Sequence, residues 1–109
     1  MKFILTESKL EQIIFMYLDN QDFVKVEGDN NVYFINSMDD EYAQIEYDKD
    51  DGWCIVSLDL IKEISSFFSL KSDDSEMIIG KWVENTLQMD LSYTVASPYI
   101  SLILLKTPK

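Results

Sequence analysis

The spacing of apolar residues changes along this chain, and each change predicts an element. Leu10, Ile13, Ile14, Tyr17 and Leu18 stand at i, i+3, i+4, i+7 and i+8, which puts one apolar stripe on a helix, widened by Phe15 and Met16. Ser8 and Glu11 have capping-box spacing, in which the hydroxyl and the carboxylate each satisfy a free N–H of the first turn, so the helix is expected to open there. Ahead of it, residues 3–5 read as a short strand ended by Thr6.

From residue 22 to residue 58 the period becomes strand-like. Residues 23–27 and 32–35 flank Gly28, Asp29, Asn30 and Asn31, and Gly and Asn tolerate the positive φ of a tight turn, which predicts a hairpin. After a polar break at 36–41, residues 42–47 alternate as one strand, with Ala43, Ile45 and Tyr47 on one face and Tyr42, Gln44 and Glu46 on the other. Residues 53–58 form a more continuously apolar strand. Strands in this order with short connections predict an antiparallel meander.

Asp59 is expected to N-cap a second helix carrying Leu60, Ile61, Ile64, Phe67 and Phe68, which ends at the break 71–75. Asp73 and Glu76, again at capping spacing, predict a third helix with Ile78, Ile79, Trp82, Val83 and Leu87 on its buried side. Gly80 within that helix costs ~1 kcal/mol relative to alanine, so it is expected to mark close packing against a neighbour. In the β-rich tail 91–105, Pro98 has no N–H for a ladder, which predicts two strands meeting there or a bulge at a sheet edge, with residues 100–105 buried. The fold class is therefore α+β: an antiparallel meander packed against about three helices, with a C-terminal strand region, in a single compact domain over 1–109.

Composition fits one folded core, at 109 residues with 47% hydrophobic and 13% aromatic side chains and few glycines or prolines. No apolar run approaches the ~18 residues of a membrane span. A lone cysteine, which can form no internal disulfide, and an N-terminus without a signal-peptide pattern predict a cytoplasmic protein.

Charge narrows the chemistry further. Twenty acids face nine cations, all lysine, for a net charge of −11, and there is neither arginine nor histidine. Such a field repels nucleic acid, and the residue best suited to bidentate phosphate contacts is missing, so no direct nucleic-acid binding is expected. Without histidine, the Ser-His-Asp and Cys-His schemes, His-ligated zinc and histidine bases are excluded.

The stretch DKDDGWC, residues 48–54, gathers carboxylates, a glycine and the only cysteine. Its spacing fails as a calcium loop: counting from Asp48, the fifth position is Gly52, the glycine position holds Trp53, and Asp59 at the twelfth begins a helix. Asp51-Gly52 between strands predicts a hairpin turn instead. Cys54, in an apolar strand near carboxylates, is expected to be a buried, inert thiol. Asp39-Asp40-Glu41 and Asp73-Asp74 read as solvated loop or capping acids rather than a catalytic pair. Trp82, within the apolar stripe of its helix, is expected in the core. No catalytic, cofactor-binding or metal residue is expected.

The opening MKFILTESKL resembles the start, MKxIxTExxL, of small tailed-phage proteins, and SSFFSL followed by IGKWVENTLQM is similar to a pattern in some of them. That resemblance covers about a third of the chain, carries no site residues and implies only an origin in a phage or its host. The expected function is non-enzymatic binding, through a protein partner or self-association and with no membrane contact. A nucleic-acid mimic directed at a basic DNA-binding or defence enzyme is the alternative, and an enzyme using carboxylates or lysine ranks third.

Overall fold

The computed structural model describes residues 7–37 and 40–102. Helix α1 (Glu7–Asp19) leads into β1 (Val24–Glu27) and β2 (Asn31–Ile35), then β3 (Tyr42–Ala43), β4 (Ile45–Asp48) and β5 (Trp53–Ser57). Helices α2 (Leu58–Phe68) and α3 (Ser72–Leu87) follow, then β6 (Tyr93–Ser97) and β7 (Ile100–Ser101). The expected strand at 3–5 and the burial expected of 103–105 lie outside the described residues.

The main sheet has the order β1-β2-β4-β5-β6. Its first four strands are the antiparallel meander that the short turns predict. The last pairing is different: β6 lies parallel to β5, with Trp53 beside Tyr93 and Ile55 beside Val95. Parallel neighbours need a long crossover, and α2 and α3 supply it. The fold is thus α+β with a mixed sheet, and all three helices share one core with one face of it.

That core draws Val32, Phe34, Ile45, Tyr47, Cys54 and Val56 from alternate strand positions, and Ile14, Leu18, Ile61, Ile64, Ile79, Trp82 and Val83 from the helices. Polar pins hold the helices in register. Lys81 reaches Glu11 at 2.7 Å between α3 and α1, and the Ser65 and Ser75 hydroxyls meet at 2.7 Å between α2 and α3. Gly80 marks close packing as expected: a Cβ there would run into Thr94 Oγ1, so α3 rides closely on β6 and Thr94 would have to shift to admit a methyl group.

Several boundaries differ from the sequence expectation. Ser57, not Asp59, caps α2, its Oγ accepting from Leu60 N at 3.2 Å, while Asp59 sits in the first turn where its charge favours the helix dipole. Helix α3 opens at Ser72 with no side-chain cap, and Asp73 and Asp74 occupy its first turn. Helix α1 already includes Glu7, so Ser8 lies inside it.

The largest departure concerns residues 42–47. They form two strands in two sheets, because Gln44 breaks the run: its N–H stays on Phe34 O at 2.9 Å, while β3 leaves to pair with β7 in a two-stranded ribbon. A one-residue interruption flips the faces. Ala43 is therefore buried with Ile35, Ile100 and Leu102 in a second cluster, whereas Ile45 and Tyr47 belong to the main core. Pro98 separates β6 from β7, the two strands expected to meet there, and they belong to different sheets.

Candidate functional site

The residues singled out from sequence do not converge. In the Asp48–Gly52 segment, Asp48 Oδ1 accepts from the backbone N–H of Asp50 at 2.9 Å and Asp51 at 3.3 Å, and Gly52 takes φ +72° to close the β4–β5 hairpin. Its carboxylate caps its own turn. Ser92 ties that turn to β6, its N–H donating to Gly52 O at 2.7 Å and its Oγ to Asp51 O at 2.8 Å. Asp40 Oδ2 accepts from Ser37 N within a local turn, and Asp39 lies outside the described residues.

Cys54 is fully buried, and burial, aided by the nearby Glu76 charge, pushes its thiol up to about 12, far from a nucleophile's range. Trp82 is 4% exposed, ringed by Phe23 and Phe34, with Nε1 donating to Asp19 Oδ1 at 2.9 Å. It locks α3 to α1 and is unavailable to a partner. Among the described residues no three acid, cysteine or histidine side chains are grouped so as to hold a metal ion.

The surface with the most to offer is the sheet face turned away from the helices. Register and alternation place Val26, Tyr33, Glu46, Trp53, Ile55, Tyr93 and Val95 there. The β3–β7 ribbon covers one part of it, packing against Val24, Val26, Tyr33 and Ile55. Beyond that cover, Trp53 and Tyr93 lie with ring centroids 4.6 Å apart, 39% and 45% exposed. Tyr42 and Tyr99 form another exposed ring pair at 5.5 Å. Ala43 and Ile100 point from the ribbon into the cluster, so alternation turns Tyr42 outward.

Near the centre of this face stands Glu46. Its carboxylate accepts from Asn31 Nδ2 and is hydrogen-bonded to the Tyr33 hydroxyl. Partial burial raises its pKa above the usual carboxylate value, the hydrogen bond from Asn31 opposes that rise, and the Asp48 charge adds to it. Loss of water and the same carboxylate raise the Tyr33 phenol in turn.

Two lesser surfaces flank the helices. Phe67, 67% exposed at the end of α2, rests on Tyr17 at 5.0 Å and Phe68 at 4.9 Å. An open cleft of about 360 Å³ runs between α3 and β6, lined by Asp73, Glu76, Met77, Glu84 and Tyr93 among others. Burial first, and the Asp73 charge second, raise the Glu76 carboxyl.

The exposed ring pairs were missed because alternation assigns Trp53 and Tyr93 to a face without saying that the face is uncovered. One signal was present: Trp53 is out of phase with Cys54 and Val56 in its own strand. No helix among the described residues is long and apolar enough to cross a membrane. No protein-family model, curated protein or solved structure matches this chain.

Proposed function

We propose that this chain is a non-enzymatic binding protein that works through protein contacts or self-association, with the aromatic side of its sheet as the contact surface. The observation that carries the reading is the pair of exposed ring clusters, Trp53–Tyr93 and Tyr42–Tyr99. Tyrosine and tryptophan on a rigid scaffold supply the large, low-entropy contact area that recurs at interface centres. Catalysis by carboxylates or lysine draws less support, since the raised carboxyls Glu46 and Glu76 stand on an open face and in an open cleft rather than in an enclosed pocket. On the resemblance of MKFILTESKL to tailed-phage proteins, we further propose that the chain is phage-encoded and acts in the host cytoplasm.

The test compares wild type with Trp53→Ser/Tyr93→Ser by analytical ultracentrifugation and by crosslinked capture from bacterial lysate. Self-association or one specific captured protein, lost in the double variant while its circular dichroism is unchanged, is the expected result. A wild type that stays monomeric and retains nothing above a mock column refutes the reading.

The mimic reading has one observation in its favour. Glu27 and Asp29 at the β1–β2 turn, Asp48, Asp50 and Asp51 at the β4–β5 turn and Asp90 ahead of β6 lie along one end of the sheet, where Lys49 N bonds to Asn30 O and the Tyr47 hydroxyl to Asp90 O. Asp59, Glu63, Asp73 and Asp74 are on the helices, so the acids are not confined to that row. Salt-sensitive competition with DNA for a basic DNA-binding domain, lost when the row is neutralised, checks it.

A further inference from the structure

Among the described residues, β6 is paired on one side only, with β5, and so forms a margin of the main sheet. The opposite margin, β1, carries Lys25 and Glu27, the kind of charged side chains with which sheets discourage further pairing. Strand β6 reads YTVAS and carries no charge, and Pro98 comes only after its end. Among the described residues the two margins are therefore not equivalent, and β6 is the one whose free side carries neither a paired strand nor a charge.

Beside that margin, on the helix side, lies the cleft under α3. Asp73, Glu76 and Glu84 contribute carboxylates to it, Glu84 Oε2 already accepting from Leu91 N at 3.0 Å, and the lysine in its wall, Lys81, is engaged by Glu11 at 2.7 Å. A strand laid along β6 would send alternate side chains toward this cleft, at whose rim Tyr93 stands, and the intervening ones toward Val95 on the other face. Charge decides which side chains suit the cleft side.

We propose that the outer margin of β6 takes an extended basic segment of a partner protein by strand addition, with lysine or arginine at alternate positions reaching the carboxylates of Asp73, Glu76 and Glu84. The inference goes beyond the sheet-face reading, because it names the partner's chemistry and uses a backbone edge rather than exposed rings. Either can fail without the other.

The probe is a fluorescein-labelled peptide, Lys-Val-Lys-Val-Lys-Val-Lys, titrated into the full chain at low salt, together with a copy N-methylated at alternate backbone positions and a Glu-Val counterpart. The expected result is saturable binding of the Lys-Val peptide that shifts the amide resonances of residues 93–97. Binding should be at least about tenfold weaker for the N-methylated copy and about tenfold weaker for Asp73→Asn/Glu76→Gln. The Glu-Val peptide should not bind. Absence of binding, equal binding of the N-methylated peptide, or an unchanged affinity in the double variant overturns the proposal. So does a concentration-dependent dimer in which the β6 amides are the ones protected, because a second copy would then hold the edge. None of these outcomes depends on Trp53, so the test does not prejudge the sheet-face reading.

Discussion

The two faces of the main sheet are built from the same strands by alternation, yet they are put to different uses. Toward the helices, Val32, Phe34, Ile45, Cys54 and Val56 are at most 3% exposed, and the aromatic knot of Phe23, Phe34 and Trp82 closes one end of the interface. Away from the helices, a two-stranded ribbon gives partial cover, the rings of Trp53 and Tyr93 meet solvent, and the half-buried Glu46 carboxylate sits against Asn31 and Tyr33. The contrast separates a face that stabilises the fold from a face that the fold merely presents.

Neighbouring isoleucines give the largest test of that contrast. Ile45 on β4 is fully buried on the helix side, while Ile55 on β5 is only half-buried on the other. Ile45→Ala should cost about 3–4 kcal/mol, the transfer term plus an unrelaxed cavity, and Ile55→Ala about 1 kcal/mol, because solvent already reaches the site. Urea denaturation of both variants checks this. Equal losses would mean that the second face is as closed as the first.

Next in size is the seam between α3 and β6, where the closed face reaches its margin. In Gly80→Ala the new methyl group would run into Thr94 Oγ1 and lie 3.3 Å from Thr94 Cβ. Alanine gains ~1 kcal/mol of helix propensity over glycine, but overpacking a tight contact costs more, so a net loss of about 2 kcal/mol is expected. Adding Thr94→Ala removes the nearest atom and should restore more than half of it, read as the coupling in a double-mutant cycle. Additive losses would show that the glycine answers to something other than Thr94.

How much of this was legible in the sequence depends on whether a feature is set by local period or by what lies opposite. The stripe Ile78, Ile79, Trp82, Val83 on α3 and the alternation of Val32 and Phe34 on β2 name their buried sides directly. Gly80 announced a close contact but not that Thr94 is its partner. The break at Gln44 was hidden because Ala43, Ile45 and Tyr47 keep perfect alternation; the face changes through strand pairing, which no local pattern records. The parallel placement of β6 was hidden for the same reason, since it depends on α2 and α3 folding back across the sheet. The ring pairs were legible as residues and not as a surface, because exposure is decided by the ribbon, an element built from the misread segment 42–47 and the tail. The chemistry that the sequence ruled out in DKDDGW is explained by Asp48 capping its own turn.

The smallest effect tests whether the presented face is electrostatically uncomfortable. Glu46 has a pKa raised by partial burial, so the folded state holds its proton more tightly than the unfolded chain, whose glutamates titrate near about 4.3. A raised folded pKa means that the stabilising contribution is complete below the unfolded value and is lost as pH rises through the folded one. At neutral pH the ionised carboxylate is therefore a net burden, only partly relieved by Asn31 and Tyr33. Glu46→Gln keeps an acceptor for Asn31 without the charge, and should raise stability by about 0.5 kcal/mol at pH 7, a figure kept small because solvent still screens the site. The gain should vanish as pH falls below about 4, where wild type is protonated as well. Glu27→Gln is the control for net charge: that carboxylate is exposed and lies within 3.9 Å of Lys25 and 3.8 Å of Lys49, so its removal should bring no gain. Equal stabilisation by both variants would trace the effect to the excess of acids over the whole chain, and the second face would lose its claim to a distinct electrostatic character.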